Sequence, residues 1–277
     1  MTNLTGIDVS VYQGQIDWEK VAGQIGFAIL RAGYGMFDFQ KDPMFERNYQ
    51  ECKRLGIPVG VYHYSYAKTE SQAKREAEVM LKWLEGKSLE LPVYFDIEDK
   101  SQVGLGKDLL TNMCISYCTV IENAGFWAGV YANKYWFSSI LNNEELGKRY
   151  TCWVAQYNNE CTYKGKFDIW QKSSEGKING INGNVDIDIM YRDLISDVAN
   201  SKKGKLEFQG EFLEHYVKWG ENLTKIAKKY GTTIEQIVKD NHISNPNKIY
   251  VGQTLLIRKW WCKCYLTSKW LIVIIYK

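Results

Sequence analysis

The chain has 277 residues, which is longer than one typical domain and fits a domain of about 200 residues followed by one of about 50. Hydrophobic residues make up 45% and charged residues 24% of the chain, a balance typical of globular proteins, so the composition argues against disorder. The net charge of +3 is unevenly spread: residues 1–198 carry −5 and residues 199–277 carry +8, which favours a polyanionic partner such as nucleic acid, anionic lipid or a teichoic-acid-bearing wall.

Short apolar runs alternate with amphipathic segments over residues 1–198. Runs of strand length, rich in β-branched or aromatic residues, predict about eight strands, at 6–10, 27–33, 58–64, 92–98, 127–131, 152–157, 168–171 and 185–190. Apolar residues at three- and four-residue spacing predict helices at 43–55, 71–84 and 109–123. This alternation of strands and helices predicts a mostly parallel α/β barrel.

A second, smaller unit follows the barrel. The polar, glycine-containing stretch at 201–205 predicts a linker over residues 199–212. The next segments predict a strand at 215–218, a helix at 223–230, a turn at Gly231, a helix at 234–240 and a returning strand at 248–257. This β-α-α-β order predicts a small α+β domain at 213–257 with a compact aliphatic core.

The last residues, 258–277, fit neither unit. They contain Trp260, Trp261 and Trp270 and an apolar run at 271–275 that is too short to span a membrane. The tail either packs on the second unit or touches a membrane interface, and no role is inferred for it.

The cysteines and the N-terminus suggest where the protein folds. Seven cysteines form an odd set without repeated spacing and with too few nearby histidines for a zinc site, so we expect reduced thiols. Residues 1–6 lack the basic start and apolar run of a secretory signal, so we expect the protein to be made and folded in a cytoplasm.

Four acidic residues are the candidate catalytic groups. The apolar strand at 92–98 ends in Asp96 and Glu98, and residues two apart on a strand share a face. Asp8 lies at the end of the first strand and Asp186 in the last, and those strands are neighbours in a closed barrel. Each acid alone could be an ordinary turn former, but four that converge on one mouth suit glycoside cleavage by paired carboxyl groups.

A metal site is the alternative chemistry for four carboxylates, since magnesium and calcium prefer oxygen ligands. The sequence has no Asp-rich loop of calcium-binding spacing and supplies aromatic residues to the mouth instead, so we expect neither a metal nor a cofactor. Aromatic faces stack on sugar rings, and polar side chains bond their hydroxyl or acetamido groups. The predicted sugar-contacting residues are Arg31, Tyr34, Tyr62, Tyr64, Tyr131, Trp153, Gln156 and Trp170, with Tyr157 and Gln171 also near the mouth.

Six ordered motifs over residues 4–195 resemble glycoside hydrolase family 25. They are GIDVSVYQG at 6–14, YFDIE at 94–98, GVYAN at 129–133, CWVAQY at 152–157, IWQ at 169–171 and VD at 185–186. The resemblance implies an irregular (β/α) barrel that hydrolyses the β-1,4 bond between N-acetylmuramic acid and N-acetylglucosamine.

The resemblance also implies roles for the acids. Glu98 would be the general acid, and Asp96 would orient the substrate's 2-acetamido group if that group is the internal nucleophile; a direct carboxylate nucleophile is the alternative. Asp8 and Asp186 would tune the pocket and bond substrate. Two positions depart from the family pattern: Arg31 stands where many relatives have Lys, and Asp188 where Asn is frequent.

The second unit resembles a LysM module over residues 213–257. Its motifs are YVKWGENL at 216–223, IAKKYGT at 226–232, 237–241 and IYVGQTL at 249–255, and Glu221-Asn222 replaces the more usual Asp-Thr. The resemblance implies binding to glycans that contain N-acetylglucosamine, in peptidoglycan or chitin.

Together, the two resemblances predict a peptidoglycan hydrolase that a glycan-binding module holds on the cell wall. A phage endolysin, stored in the host bacterial cytoplasm and reaching the wall after holin-type release, is expected, with a bacterial autolysin as the other origin. Peptidoglycan strands are the expected partner, rather than nucleic acid, and no stable membrane span is expected. The alternatives are a chitin-directed hydrolase of the same fold and a catalytically silent wall-binding protein.

Overall fold

The computed structural model describes residues 3–204, 212–230, 232–241, 243 and 245–258. These residues form two compact units, which divide after Gly204. The predicted turn at Gly231, the predicted tail after residue 258 and half of the predicted linker, residues 205–211, lie outside the described residues.

In the first unit, eight strands close into a barrel in chain order. The strands are β1 (Leu4–Val9), β2 (Phe27–Tyr34), β3 (Val59–Tyr64), β4 (Val93–Asp96), β5 (Ala128–Asn133), β6 (Thr151–Ala155), β7 (Ile169–Gly176) and β8 (Val185–Met190). Strands β1 to β7 run parallel to one another, whereas β8 is antiparallel to both β7 and β1. The predicted α/β barrel is confirmed, with one reversed strand.

The reversal of β8 decides where its acids lie. Asp186 is the second residue of β8 and pairs in register with Asp8, near the end of β1. The start of β8 therefore lies at the same mouth as the carboxyl ends of the parallel strands. Asp186 reaches this mouth because its strand runs the opposite way.

Helices surround the barrel. They are α1 (Trp18–Val21), α2 (Phe45–Arg54), α3 (Glu70–Trp83), α4 (Lys107–Asn123), α5 (Asn143–Arg149) and α6 (Leu194–Gly204). Shorter helical turns cover Val11–Gln13, Asp38–Gln40, Lys100–Gln102 and Trp136–Ile140. No helix among the described residues combines the length and apolar character needed to cross a membrane.

Alternating strand residues supply two apolar layers. One face of the strands packs beneath the helices, as Val61 and Phe95 do, while the other face fills the barrel interior with residues such as Ile29, Tyr94 and Trp153. Gly129 on β5 makes room for this filling, because an added Cβ would collide with the Tyr94 ring. The interior is therefore packed below the mouth, and a cavity lies above this packing.

Helix α6 extends into the segment predicted as a linker. It continues to Gly204, so residues 199–204 are helical rather than extended. The helix is held on the barrel by buried Val198 and by a 2.7 Å hydrogen bond from Trp127 Nε1 to Ser201 Oγ. These contacts explain why a polar stretch forms the end of a packed helix.

The second unit contains β9 (Phe212–Tyr216), α7 (Leu223–Tyr230), α8 (Ile234–Asp240) and β10 (Thr254–Arg258), with β9 and β10 antiparallel. The two helices match the predicted bounds. Asn222 Oδ1 accepts a hydrogen bond from Lys225 N at the start of α7, whereas Glu221 binds buried His215 at 2.8 Å. Asn222 is thus the capping residue, whereas the Glu221 carboxyl is bound to His215.

Candidate active site

A cavity of about 220 Å³ opens at the mouth of the barrel, where the parallel strands end. Its lining residues are Asp8, Ser10, Tyr12, Gln13, Arg31, Tyr62, Tyr64, Asp96, Tyr131, Trp153, Tyr157, Gln171 and Asp186. Acidic and aromatic side chains predominate in this lining, which suits a polar ring with apolar faces such as a sugar.

Asp96 and Glu98 stand at the end of β4. The strand ends at Asp96, so Glu98 lies beyond it and does not share a strand face with Asp96 as the sequence suggested. The chain still runs beside β5, because Ile97 N donates to Tyr131 O at 3.1 Å. Glu98 therefore reaches Asn133, whose backbone N and side-chain Nδ2 donate to Glu98 Oε2 at 3.0 and 2.9 Å.

The carboxyl groups of Glu98 and Asp96 differ in their hydrogen-bond partners. One oxygen of Glu98 is fixed by Asn133, and no hydrogen bond reaches Oε1 from the described residues. Asp96 is 4% exposed, and its buried Oδ1 has no hydrogen-bond partner within the described part of the chain. A buried acceptor without a donor is unfavourable, so this atom is suited to a donor that the substrate brings.

Burial makes both groups harder to ionise. Desolvation raises the pKa of Glu98, and the two Asn133 hydrogen bonds oppose that rise. Desolvation and then the charge of Glu98 raise the pKa of Asp96 well above its usual range, while the Arg31 charge lowers it. Two neighbouring carboxyls in a desolvated site favour a state in which one of them keeps its proton.

On the opposite side of the cavity, Gln171 organises a hydrogen-bond network. Its Nε2 donates to Asp8 Oδ2 at 2.6 Å, and its Oε1 accepts from the hydroxyls of Tyr131 and Tyr157 at 2.9 and 3.1 Å. Burial raises the pKa of Asp186 to about 6. The structure thus brings the four predicted acids to one mouth, with Glu98 beside the cavity rather than in its lining.

Arg31 is held by an ion pair with Asp42. Its Nε donates to Asp42 Oδ2 at 2.8 Å, and its guanidinium lies 4.9 Å from the centre of the Tyr12 ring. Fully buried Asp42 also accepts from the backbone N–H groups of Val11 and Met44. The Asp42 carboxylate therefore holds both the Arg31 side chain in the cavity and the helical turn that follows β1.

We expect Asp42→Ala to destabilise the barrel by about 3 kcal/mol, because it leaves the Arg31 charge unpaired and two backbone donors unsatisfied. Urea unfolding of the two proteins measures the loss. Asp38→Ala is the control, since the exposed Asp38–Lys82 pair should contribute less than about 1 kcal/mol. Equal, small losses for both variants would contradict the structural role of Asp42.

The predicted sugar-contacting residues divide into two groups. Arg31, Tyr62, Tyr64, Tyr131 and Trp153 line the cavity. Tyr34 lies outside it, on the exposed rim beside Tyr66, with the ring centroids 6.1 Å apart.

Two further predicted contacts lie away from the cavity. Trp170 follows Ile169 and precedes Gln171, which both face inward, so Trp170 faces outward into the core, and its Nε1 donates to Gln156 O at 2.8 Å. The Gln156 side chain binds Thr162 through both of its polar atoms. Gln156 therefore holds a loop instead of facing a ligand.

Several residues of the site were not predicted from the sequence. Ser10, Tyr12 and Gln13 enter the lining because a helical turn follows β1 directly, and Tyr66 joins the rim from the segment after β3. Asn133 was visible within the GVYAN motif but its role required the contact with Glu98. The two-residue spacing from Asp186 could have indicated that Asp188 also faces inward.

Comparisons with known proteins agree with this geometry. The family model "Glycosyl hydrolases family 25" matches residues 7–181, and the LysM domain model matches residues 215–258. The chain is 26% identical over 191 residues to the autolytic lysozyme of Clostridium acetobutylicum, covering 67% of this chain and 55% of that protein. It is 54% identical over 43 residues to the endolysin of Bacillus phage PZA, covering 15% of this chain and 17% of that protein.

Among solved structures, the chain is similar to the modular autolysin LytC from Streptococcus pneumoniae, with a TM-score of 0.62 and 28% identity. The match covers 68% of this chain and 47% of LytC, so the chain spans about half of that protein's length. LytC has also been solved in complex with a synthetic peptidoglycan ligand. The matched family model, the barrel and its acidic mouth together show that the chain belongs to glycosyl hydrolase family 25.

Proposed function

We propose that the barrel is an N-acetylmuramidase that hydrolyses the β-1,4 bond between N-acetylmuramic acid and N-acetylglucosamine in peptidoglycan. The observation that carries this proposal is the pairing of Glu98, held through one oxygen by Asn133, with Asp96, whose buried Oδ1 lacks a donor. Both sugars carry an acetamido N–H, which is the donor that Asp96 lacks.

The acetamido contact also divides the roles of the two carboxyls. An N–H donated to Asp96 Oδ1 stabilises its anion and lowers its pKa, so the proton remains on Glu98. Glu98 then gives this proton to the glycosidic oxygen as the bond to the sugar's C1 breaks. Asp96, paired with the acetamido N–H, directs the acetamido oxygen at C1, and Glu98 afterwards removes a proton from the water that opens the cyclic intermediate. This arrangement favours the substrate-assisted route over a direct carboxylate nucleophile.

The size of the cavity indicates how the glycan lies. Its volume, about 220 Å³, is below the roughly 300–1,000 Å³ of pockets that enclose a drug-sized ligand. Part of the glycan enters the cavity, and the adjoining sugars lie on the tyrosines of the rim. Tyr12 and Tyr66, which are 82% and 44% exposed, present their rings for such stacking.

We propose that the second unit binds wall glycan. Trp219 is 91% exposed and Tyr250 67% exposed, although neither is needed for the unit's aliphatic core. Exposed aromatics of this kind suit the apolar faces of sugars. Binding at this unit would raise the local concentration of the barrel at an insoluble substrate.

We further propose a role in phage lysis, with synthesis in the host bacterial cytoplasm and access to the wall after holin-type release. The 43-residue similarity to the endolysin of Bacillus phage PZA supports this role. Expression in the host should leave cells intact until a holin is co-expressed, as monitored by turbidity. Lysis without a holin would contradict the route.

The activity test uses purified peptidoglycan and mass spectrometry of the released fragments. Fragments that end in reducing N-acetylmuramic acid would establish the proposed bond, and fragments that end in reducing N-acetylglucosamine would refute it. Equal hydrolysis of chitin would favour the chitin-directed alternative. Wall binding without new reducing ends would favour a catalytically silent binding protein.

A further inference from the structure

A second pair of carboxyl groups lies at the floor of the active site. Asp188 on β8 is fully buried, and the antiparallel register of β1 and β8 sets it opposite Gly6, two residues from Asp8, so that the two carboxyls interact across the strand pair. Asp188 Oδ2 nevertheless has no N–H or O–H donor from the described residues. Two ionised carboxylates offer only acceptors to each other, so the contact is favourable only if a proton lies between them.

The other partners of the pair are neutral donors. Trp153 Nε1 donates to Asp188 Oδ1 at 2.8 Å, and Gln171 Nε2 donates to Asp8 Oδ2 at 2.6 Å. Neither acid forms an ion pair with a Lys, Arg or His of the described residues. The pair therefore has one side-chain N–H donor on each acid and no neighbouring cation that could stabilise two negative charges.

The side chains that face Asp8 and Asp188 from the other strands of the barrel are acidic or neutral. Asp186 on β8 adds a negative charge, and the hydroxyls of Tyr62, Tyr94 and Tyr131 come from β3, β4 and β5. Arg31 on β2 lines the same cavity, but its charge is paired with Asp42. Double ionisation of Asp8 and Asp188 would place two more charges in this desolvated, already acidic floor.

We propose that Asp8 and Asp188 share one proton and act as a single, singly charged pair, in which Asp188 is a positioning residue that holds Asp8 toward the sugar. This inference rests on the proposed muramidase function for its effect on catalysis, but the proton sharing itself does not.

The pair makes the stability of the folded state fall as the pH rises from the unfolded pKa of 3.8 to about 8. Burial and the charge of Asp186 raise the pKa of Asp188 to about 8 from a usual 3.8, and burial with the charges of Asp188 and Asp186 also raises the pKa of Asp8. At a pH between the usual pKa of 3.8 and the folded pKa of about 8, the folded protein holds a proton that the unfolded chain has lost. Folding stability from this pair is therefore present at low pH and is lost as the pH rises toward 8.

Thermal unfolding of the full chain tests the shared proton directly. Asp188→Asn keeps an acceptor for Trp153 and supplies an N–H to Asp8, so it replaces the proton permanently. We expect the Tm of this variant, relative to the unsubstituted protein, to rise by about 5 °C or more between pH 5 and pH 8.5. A Tm difference that stays constant over this range would overturn the proposal.

Asp17→Asn is the matched control. Asp17 is exposed and its pKa is lowered by Lys20, so its titration lies below the tested range and its Tm difference should not change with pH. If Asp188→Asn fails to fold, Asp8→Asn removes the other half of the pair and carries the same Tm test.

Hydrolysis of peptidoglycan then measures the catalytic consequence. The rate of the unsubstituted protein divided by that of Asp188→Asn should fall as the pH rises from 5 to 8.5, because only the unsubstituted protein can lose the shared proton, whereas loss of the Glu98 proton lowers both rates. A ratio that does not change with pH would overturn the link to catalysis. If the unsubstituted protein released no reducing ends, the muramidase proposal would fail, while the Tm series would still decide whether the proton is shared.

Discussion

Glu98→Gln is expected to lower the rate of peptidoglycan hydrolysis by about 10²–10⁴-fold, the usual contribution of a general acid. The amide oxygen of Gln can still accept both hydrogen bonds from Asn133, so the side chain should keep its position. It has no acidic proton for the leaving glycosidic oxygen. Release of reducing ends from purified peptidoglycan, with the amount of enzyme matched, measures the loss.

The control for this substitution is Glu85→Gln, at an exposed position after α3 that should not affect the rate. Glu98→Gln itself should unfold at the same temperature as the unsubstituted protein or slightly above it, because it removes a buried carboxyl whose pKa is raised. Hydrolysis at the normal rate by Glu98→Gln would refute the assignment of the proton donor.

Removal of residues 205–277 is expected to weaken binding to washed cell walls by about 10²-fold, since a second binding site joined by a linker commonly raises apparent affinity by that factor or more. The rate on short soluble glycan fragments should not change, because the cavity lies wholly within the barrel. The cut belongs after Gly204, since a cut after Asn200 would also remove the contact between Trp127 and Ser201.

Co-sedimentation with walls at low and high salt separates two causes of this loss. The removed residues 205–277 carry a net charge of +6, so their attraction to an anionic wall would fade at high salt. Glycan recognition by exposed aromatics such as Trp219 should persist. Equal wall binding by the shortened and full-length proteins at both salt concentrations would show that the second unit does not attach the barrel.

Most barrel strands are predictable from the sequence because buried parallel strands are short, uninterrupted apolar runs. The direction of β8 is less evident, since the alternating residues of Val185–Met190 fit a strand of either direction. The length of the loop between β7 and β8 indicates the direction of β8. Strand β7 ends at Gly176 and β8 begins at Val185, and a parallel crossover needs a dozen or more residues, whereas a hairpin does not.

The site was predictable in its acids but less so in its aromatics. Acids in an apolar strand or at its end are conspicuous, so Asp8, Asp96 and Asp186 could be identified without tertiary contacts. Trp170 could not, because a large aromatic on a barrel strand suits the core and the cavity equally well, and only its register in β7 decides between them. Glu98 was identified at the end of the YFDIE motif, but its position was not, because it depends on the chain beyond β4 remaining beside β5 without continuing the strand.

The closure of the barrel by β8 also bears on the order in which the protein assembles during synthesis. One edge of strand β1 pairs with β8, which follows it by some 180 residues, so this edge stays unpaired until β8 has been made. Such long-range pairing slows folding and leaves the first strand exposed while translation proceeds. Asp8 and Asp186 meet only at that last step, so the nascent chain has no complete active site until nearly the whole barrel has been made.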